Sequence, residues 1–428
     1  MLYIIATLGC KVNQVETQAM ETMLRGHGHR RAQPGETADA VIVNSCAVTA
    51  ESGRKTRQII RRLADENPGA VIAVSGCYSQ LEPEKVKELG ASVVFGASDR
   101  TAFVEAVEKA VAEHGEYEWI DKPFERRIFE ELRAGAFDGR TRAMLKIQDG
   151  CHNFCSYCII PYTRGRLRSL PLETAGEESA RLAAEGFREL VLTGIEVASY
   201  GVDLPGKPGL ADLIETVAAA SGEMRIRLGS LEPTVITEGF CEKTAALKKL
   251  CPHFHLSLQS GCDRTLKAMN RKYNTEEFFA VTERLRKYFP GCALTGDLIT
   301  GFPGETEEDH AETLAFIERC RFAALHVFPY SRRPGTKADT MPGQLTSAVK
   351  SRRAAEAASV ADRMRARYLQ EQIGAELEVL FESGEGEGSA GHSGNYLLVR
   401  VPEEGLHGQV KTVKITGVSG DELVGFPI

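Results

Sequence analysis

The stretch RAMLKIQDGCHNFCSYC, residues 142–158, joins a strand to a loop rich in thiols. Its first part, Ala143–Gln148, has the apolar character of a buried strand. Its second part places Cys151, Cys155 and Cys158 in the loop that follows directly. Because α/β proteins carry their chemistry in loops at the carboxyl ends of strands, this stretch predicts an α/β domain with a functional site after its first strand.

The alternation of strands and helices continues from Arg142 to Tyr330. Helices fit between the strands, for example at Glu173–Glu185 and Thr306–Arg319. Six strand–helix units form either a doubly wound sheet or a partial barrel, and periodicity alone leaves both open. The strands are expected at Ala143–Gln148, Glu189–Thr193, Arg225–Leu228, His253–Leu258, Ala293–Thr300 and Ala323–Phe328.

An earlier block of the chain alternates in the same way and predicts a parallel sheet with helices on both faces. Its strands are expected at Leu2–Leu8, Ala40–Asn44, Ala70–Ser75 and Ser92–Phe95. Its helices are expected at Val12–Arg25, Glu51–Glu66 and Glu82–Leu89, with a last one near Asp99–Glu113. Residues 116–137 carry Pro123 and many charges and are predicted to be a linker.

The end of the chain changes character after one long predicted helix, Leu345–Gln372. Short strands separated by Gly-rich turns, among them Gly384–Gly394, predict a small all-β barrel. These strands are expected at Glu376–Glu382, Asn395–Val401, Gly408–Ile415 and Glu422–Phe426. The predicted domains are therefore residues 1–115, 138–366 and 367–428, with the linker 116–137.

Composition indicates a globular protein of the reducing cytoplasm. The 428 residues require several domains, and no apolar run approaches the roughly 20 residues of a membrane span. Leu2–Leu8 is short and has no basic flank before it, so we expect no signal peptide. Eleven cysteines, an odd number in a long chain, favour reduced thiols over a disulfide framework. We expect a monomer with no membrane partner.

The thiols of Cys151, Cys155 and Cys158 have the spacing C-x3-C-x2-C. Three such thiolates can hold three irons of a cubane [4Fe–4S] cluster and leave the fourth iron open for a substrate or cofactor. A zinc site requires four ligands, no fourth cysteine is near, and His152 lies inside the loop, where binding would strain the geometry. Three unrelated buried cysteines are a further alternative.

Three other cysteines each follow a predicted strand of the first block: Cys10, Cys46 and Cys77. Because the carboxyl ends of parallel strands lie along one edge of a sheet, we expect these thiols to converge there and to hold a second cluster with one open iron. Gly9 and Gly76 allow tight turns beside them. The alternative is that they are only small buried residues. The five remaining cysteines are predicted to be core or near-surface thiols: Cys241, Cys251, Cys262, Cys292 and Cys320.

The loop Gly150–Cys158 resembles the signature of the radical S-adenosylmethionine (SAM) superfamily. The resemblance implies that the open iron chelates SAM and that an electron from the cluster cleaves it to a 5′-deoxyadenosyl radical. It also implies that Tyr157 lies against the adenine of SAM.

Taken together, the two cysteine trios resemble the methylthiotransferases, over nearly the whole chain. Other shared motifs are residues 7–14, 44–49, 76–78, 148–151, 161–166, 192–194, 227–233, 258–261, 301–306 and 328–331. The resemblance implies a partial (β/α)6 barrel, a C-terminal module similar to the TRAM domain, and two [4Fe–4S] clusters. It further implies that one SAM methylates a sulfur on the second cluster while another SAM supplies the radical, with a reducing electron donor and a sulfur source as partners.

The resemblance also assigns SAM contacts to Gly194, Glu232 and Gln259 at predicted strand ends. Alternatively, Gly194 only turns the chain and Glu232 only caps the next helix. The segments Cys10–Asn13 and Ser230–Pro233 resemble the branch that acts on N6-threonylcarbamoyladenosine of tRNA, next to the anticodon, at C2. Open alternatives are isopentenyladenosine of tRNA, an aspartate of a ribosomal protein, and a non-catalytic iron–sulfur carrier.

A tRNA substrate requires cationic contacts, although the net charge is −7. The candidates are Arg164, Arg166 and Arg168 after the thiol loop. A second group on one predicted helix is either an RNA contact or a solvated face: Arg54, Lys55, Arg57, Arg61 and Arg62. Ten acidic residues from Glu371 onward make the C-terminal module a poor general RNA binder and keep the protein substrate open.

Overall fold

The computed structural model describes residues 1–133, 135, 141–383 and 388–428. It consists of two compact units. The first contains Met1–Gly135, Gln148–Leu170 and Ser331–Asp339, and the second contains Ala136–Ile147, Pro171–Tyr330 and Thr340–Ile428. The predicted domain borders stay predictions, because the units divide the chain elsewhere. Among the described residues, no helix combines the length and apolar character that crossing a membrane requires.

The first unit is built on a six-stranded parallel sheet in the order β2-β1-β3-β4-β5-β6. Apolar side chains are buried on both faces of the sheet, as the near-continuous apolar strands predict. The strands are β1 (Leu2–Thr7), β2 (Arg30–Arg31), β3 (Ala40–Ser45), β4 (Val71–Gly76), β5 (Val93–Phe95) and β6 (Tyr117–Trp119). The helices are α1 (Lys11–Gly26), α2 (Ala50–Glu66), α3 (Cys77–Leu81), α4 (Pro83–Lys87) and α5 (Arg100–Glu113).

Several details of this unit differ from the sequence prediction, among them the unpredicted two-residue strand β2. The start of the predicted linker is strand β6, which pairs in parallel with β5 at the edge of the sheet. Three residues with a central glutamate give too weak a strand signal to be recognised. The predicted helix Glu82–Leu89 is present as α4, which begins at Pro83 because proline has no amide hydrogen and favours the first turn of a helix. The short helix α3 that precedes it was not predicted.

The thiol loop of the first unit lies between β7 (Arg142–Asp149) and α6 (Ile160–Arg164). Strand β7 begins in the second unit and ends in the first. Its last residues, Gln148 and Asp149, pair antiparallel with β8 (Arg168–Ser169). The loop is therefore closed at its base by a short two-stranded ladder.

The partial barrel of the second unit has parallel strands whose spatial order follows the chain order. Strand β7 neighbours β9 and then β10, while β11, β12, β13 and β14 follow one another. Ile226 bridges in parallel to Leu250, just before β12, which links the two sets. A doubly wound sheet would reverse its order, so the predicted partial barrel is confirmed. The strands are β9 (Glu189–Gly194), β10 (Arg225–Leu228), β11 (Ser230–Leu231), β12 (His253–Gln259), β13 (Ala293–Thr300) and β14 (Ala324–Pro329).

Helices cover the outer side of this barrel and end in one long helix that leads to the C-terminal module. They are α7 (Leu172–Ala184), α8 (Leu210–Ala220), α9 (Glu238–Ala245), α10 (Asp263–Ala268), α11 (Thr275–Tyr288), α12 (Glu307–Cys320) and α13 (Ser347–Glu371). Thr306 caps α12 by accepting a hydrogen bond from the amide of Asp309, so the helix begins one residue after its predicted start.

The C-terminal module is a closed barrel in the order β15-β16-β17-β19-β18. It confirms the predicted all-β barrel and has its own apolar core. One strand, β16, lies inside the stretch Gly384–Gly394 that was predicted to be a turn. Its sequence SAGHS contains no β-branched or aromatic residue, so propensity did not reveal it. The strands are β15 (Glu376–Ser383), β16 (Ser389–Ser393), β17 (Leu398–Val401), β18 (Val410–Ser419) and β19 (Glu422–Pro427).

A cluster of buried charged residues attaches this module to the amino-terminal ends of β9 and β10 in the partial barrel. Glu189 is fully buried and accepts hydrogen bonds from Arg225 (2.6 Å) and Arg227 (2.7 Å). The two guanidinium groups also donate to backbone carbonyls of His392, Ser393 and Gly394. The contact fixes the small barrel to the larger one through charges that neither could bury alone.

Candidate functional site

The structure brings Cys10, Cys46 and Cys77 to one edge of the first sheet. Each follows β1, β3 or β4, which are neighbours in the sheet, so their carboxyl ends lie side by side. A Cβ atom built on Gly9 would lie 3.0 Å from the Cys46 thiol sulfur. The charge state of Cys77 affects the pKa of both other thiols, which places all three within electrostatic reach. The predicted convergence is therefore present in the fold.

Glycine is required immediately before two of these cysteines. Gly9 has a φ of +111° and Gly76 has a φ of +106°. Residues with a side chain rarely adopt such positive φ values, whereas glycine adopts them readily. A Cβ atom at Gly76 would also come within 2.5 Å of the Ser45 carbonyl oxygen. The two glycines let the strand ends approach closely enough for the thiols to share one pocket.

Cys46 and Cys77 are buried, whereas Cys10 lies at the exposed rim. Burial raises the pKa of the Cys46 thiol. Cys10 is exposed as a residue, but the protein that surrounds its thiol excludes water, which raises the pKa of the Cys10 thiol to about 11. The positive charge of Arg164 acts in the opposite direction. Such thiols give up their protons when a metal binds, so the pocket favours neutral thiols without a metal and thiolates with one.

Arg164 provides the positive charge of this pocket. Its side chain is fully buried, its Nε donates to the Cys77 sulfur at 3.3 Å, and its Nη2 donates to Asn13 Oδ1 at 3.3 Å. The same Asn13 oxygen accepts a hydrogen bond from the Cys10 thiol at 3.3 Å. Arg164 therefore touches one thiol directly and a second through a shared amide.

Acidic side chains balance this buried guanidinium. Glu16 accepts from both Nη atoms of Arg164 and also pairs with Arg100 at 2.7 Å. Asp149 lies 3.5 Å from Arg164 and 3.4 Å from Arg168. The charges nevertheless place a cation, and not a carboxylate, against the thiols.

This arrangement corrects the prediction that Arg164, Arg166 and Arg168 contact RNA. Arg164 and Arg168 are buried in the ion network just described, because the segment after the thiol loop folds inward, so neither can reach an RNA backbone. Only Arg166 is exposed, and its Nε donates to the Phe124 carbonyl at 3.1 Å.

The loop that holds the other trio is shaped by its own backbone. The Cys151 amide donates to the Gly165 carbonyl at 3.1 Å, and the Cys158 amide donates to the Cys155 carbonyl at 2.9 Å. The Asn153 amide lies 3.4 Å from the Cys151 sulfur. Cys151 is buried, while Cys155, Cys158 and Tyr157 are partly exposed. Backbone amides near the sulfurs suit thiolates, which accept such hydrogen bonds.

The donor sets fit iron–sulfur clusters better than a single metal ion. Among the described residues, one group has all its ligand atoms within 4.8 Å of one another, and it is Cys262, Asp309 and Glu312, not either trio. Asp309 in that group already caps α12 and binds Arg264 at 2.9 Å. A cluster spreads its thiolates over several irons, whereas one zinc ion gathers them. All five remaining cysteines are buried, as predicted.

Of the residues that the family resemblance assigns to SAM, Tyr157 lies in the thiol loop of the first unit, where its contact with the adenine stays a prediction, and Gly194, Glu232 and Gln259 lie at strand ends of the second unit. Gly194 ends β9 and Gln259 ends β12, where Gln259 has a φ of +66°. Glu232 accepts from the amide and hydroxyl of Thr234, at 3.1 and 2.7 Å, and lies 3.4 Å from Arg271. The capping role considered for Glu232 is thus present, and the cofactor role of the three residues stays a prediction.

A polar cluster on the inner face of the partial barrel was not predicted. His255 Nε2 lies 3.2 Å from Asp297 Oδ2, and His255 Nδ1 lies 2.9 Å from the Thr295 hydroxyl. His326 of β14 lies opposite Asp297 of β13 in the register of the two strands, and the His326 ring lies 5.7 Å from the ring of His255. Polar residues at every second position of β12 and β13 were the available signal, because alternate residues share one face.

Comparisons with known proteins match two separate parts of the chain to protein families. Residues 145–317 match the radical SAM superfamily, and residues 2–96 match a family described as uncharacterized protein family UPF0004. Among solved structures, TsrM from Kitasatospora setae, a radical SAM methyltransferase, has a TM-score of 0.57 at 14% identity. The aligned region covers 79% of this chain and 74% of that one, a similarity of fold.

Curated relatives extend over nearly the full length. "Threonylcarbamoyladenosine tRNA methylthiotransferase MtaB" of Bacillus subtilis is 38% identical, over 96% of this chain and 92% of its own. The protein of that name from Chlamydia pneumoniae is 37% identical, over 98% and 97%. "tRNA-2-methylthio-N(6)-dimethylallyladenosine synthase" of Pelotomaculum thermopropionicum is 34% identical, over 99% and 97%. The chain therefore belongs to the radical SAM methylthiotransferase family.

Proposed function

We propose that this enzyme converts N6-threonylcarbamoyladenosine of tRNA, next to the anticodon, to its 2-methylthio derivative. The family to which it belongs supports methylthio transfer. Relatives named for threonylcarbamoyladenosine and for dimethylallyladenosine have similar identities, 36–38% and 34–37%. Identity alone therefore does not separate the two tRNA substrates, and the choice rests on the barrel interior.

We assign one [4Fe–4S] cluster to Cys151, Cys155 and Cys158 and the other to Cys10, Cys46 and Cys77. When bound, the clusters and SAM supply the reducing electron, the radical and the sulfur of the methylthio group. The protein's own part is to hold two trios of thiolates in one compact unit and to surround the buried trio with balanced charge. A reducing partner and a sulfur source are required to sustain turnover, and we expect the reaction in the cytoplasm.

The observation that carries the choice of substrate is the polar inner face of the barrel. His255, Asp297 and His326 all lie on the face opposite the helix-covered one, where Phe254 and Leu256 are fully buried. Asp297 is partly exposed and His326 is exposed, so both are accessible from the barrel interior. A threonylcarbamoyl group carries amide, hydroxyl and carboxylate groups that can bond to a carboxylate acceptor and an imidazole donor.

A dimethylallyl substituent would lie against the same polar groups but could not form hydrogen bonds with them. His255 and Asp297 would keep their mutual contact, but the remaining hydrogen-bonding positions of the cluster would lose water without gaining a partner, at a cost of about 1–3 kcal/mol for each. Sites built for hydrogen bonds therefore reject an apolar analogue strongly. This argument favours the threonylcarbamoyl substrate over the dimethylallyl one.

The test is mass spectrometry of nucleosides from tRNA of a strain that lacks this enzyme, with and without the restored gene. We expect the 2-methylthio derivative of threonylcarbamoyladenosine to disappear and return with the gene. Loss of the dimethylallyl derivative instead would identify the other tRNA substrate. Unchanged tRNA with an unmodified ribosomal-protein aspartate would identify the protein substrate. Absence of SAM cleavage by the reduced protein would favour an iron–sulfur carrier.

A further inference from the structure

We infer that Arg164 is a positioning residue that sets the reduction potential of the cluster bound by Cys10, Cys46 and Cys77. The inference rests on the proposed assignment of these thiols. It starts from an unusual burial: a guanidinium with no exposed surface that donates to a cysteine sulfur. An arginine that served only as a salt-bridge partner would need no thiol beside it.

The contacts of Arg164 are divided between the thiols and the acids. Its Nε faces the Cys77 sulfur, and its Nη2 faces the Asn13 oxygen that also accepts the Cys10 thiol hydrogen. Its other contacts go to Glu16 and Asp149. Because the planar guanidinium has donors in fixed directions, the acids orient it and the Nε–H is held on the sulfur.

Arg164 also connects the two trios along the backbone. It ends α6, and the carbonyl of the next residue, Gly165, accepts the amide hydrogen of Cys151. The same short segment thus supports the loop of one trio and donates to a thiol of the other.

The physical consequence follows from charge. Adding an electron to a cluster makes it more negative, and a hydrogen bond to a ligand sulfur stabilises that form more than the oxidised form. Burial strengthens the effect, because the positive charge is not screened by water. Removing the guanidinium should therefore make this cluster harder to reduce, while leaving its ligands in place.

Arg100 provides a matched control. It is equally buried, and it pairs with the same Glu16 at 2.7 Å and with Glu130 at 3.5 Å. None of its described contacts is to a cysteine. A purely structural role for buried arginines around Glu16 predicts equal effects of R164Q and R100Q, whereas a role at the sulfur predicts an effect of R164Q alone.

The experiment uses the full chain with C151A, C155A and C158A, so that only the cluster of the other trio remains. Redox titration followed by electron paramagnetic resonance should show that R164Q lowers the reduced-to-oxidised ratio at a fixed potential by about tenfold, the scale of one charge-assisted hydrogen bond. R100Q should leave that ratio and the g-values unchanged. Equal shifts in R164Q and R100Q, or no shift in R164Q, would overturn the inference.

Loss of iron must be separated from a change of potential. If R164Q holds no cluster, R164K should restore the iron content, because it keeps the charge, and R100Q should retain iron; equal iron loss in R100Q would overturn the inference. If the parent with intact Arg164 holds no cluster, the thiol assignment itself fails and the inference falls with it. A normal parent and an unaltered R164Q would refute the role of Arg164 alone.

Discussion

At the scale of single residues, the function depends on side chains that the fold forces into unusual surroundings. Gly76 adopts a conformation that other residues disfavour, and Arg164 is a buried cation whose partners lie far away in sequence. Glu16, its main acid partner, is 148 positions earlier in the chain. A strained backbone or a buried charge lowers the stability of the fold unless neighbouring residues compensate for it. Such strained residues are typical of functional sites.

The substitution Gly76→Ala should disturb the trio of Cys10, Cys46 and Cys77. Its methyl group would meet the Ser45 carbonyl oxygen, and the positive φ adds strain of about 1 kcal/mol or more. We expect the iron content of anaerobically prepared protein to fall from about eight to about four per chain. Gly69→Ala is the control, since Gly69 has a φ of +87° but no atom within 4 Å of the added methyl. Equal iron loss in both variants would contradict the explanation.

The substitution His326→Phe should reduce methylthio transfer to threonylcarbamoyladenosine. The change removes a hydrogen-bonding group from the inner face of the barrel but keeps a ring, so we expect a loss of about tenfold or more in product per enzyme. SAM cleavage without substrate should persist. Phe328→Leu, on the same strand, should retain most activity. Mass spectrometry of the product nucleoside measures both, and full activity of H326F would argue against the proposed recognition.

At the scale of elements, charges buried between β9, β10 and the C-terminal module determine how firmly the small barrel is attached. Glu189 lies beneath Arg225 and Arg227, which in turn donate to the turn after β16. Tyr396 adds a ring that stacks on His253 at 5.0 Å and lies 4.7 Å from the Arg227 guanidinium. The contact joins elements that are adjacent only in the folded chain.

Glu189 makes this attachment dependent on pH. Although its burial acts in the opposite direction, the guanidinium groups of Arg227 and Arg225 lower the pKa of Glu189 from 4.5 to about 2. Its stabilising contribution, about 3 kcal/mol, is complete above pH 4.5 and is lost as the pH falls from about 4.5 to about 2. Thermal unfolding should show that Glu189→Gln is destabilised near pH 7 and that its difference from the wild type narrows in this acid range.

The matched control for this prediction is Glu283→Gln. Glu283 pairs with Arg286 and Arg321 at the surface, so its loss should cost less than about 1 kcal/mol and show little acid dependence. A gap between E189Q and wild type that stays constant from pH 6 to pH 2 would contradict the assigned role of Glu189.

At the scale of the whole molecule, the proposed tRNA substrate requires that an acidic protein bind a polyanion. On α2, Arg54 pairs with Glu51 and Arg62 with Glu66, whereas Lys55 and Arg61 are exposed and form no ion pair within the described part of the chain. Cationic side chains that bind RNA phosphates release counterions, and side chains without an ion pair are available to do so. Lys55 and Arg61 are therefore the stronger candidates for RNA contact among the cations predicted on this helix.

The double variant K55Q/R61Q should bind tRNA more weakly, and the slope of log affinity against log salt should fall in magnitude by about one to two. The variant R54Q/R62Q removes the same number of positive charges from the same helix, but from groups already neutralised by glutamates. It should have the smaller effect. Equal changes in affinity and slope for the two variants would contradict the preference for Lys55 and Arg61, and no change in either variant would show that α2 does not contact RNA.

The architecture was largely predictable because its signals are local. Apolar strands followed by cysteines identified the parallel sheet and both thiol trios, whereas the partial barrel was implied by the family resemblance, because periodicity left a doubly wound sheet open. Five strands among the described residues were missed. Strands β2, β8 and β11 have only two residues each, YEW has three residues with a central glutamate, and SAGHS contains no β-branched or aromatic residue, so all five depend on their neighbours in the sheet. The roles of Arg164 and Arg168 were also wrong, because cations after a loop look the same in sequence whether they face RNA or Glu16 and Asp149.

The central claim is that the two thiol trios hold separate four-iron clusters, and iron analysis with Mössbauer spectroscopy of anaerobically prepared protein tests it directly. We predict about eight irons per chain in the wild type and about four in each of two triple variants, C10A/C46A/C77A and C151A/C155A/C158A. About four irons in the wild type, or loss of all iron in either triple variant, would contradict the claim.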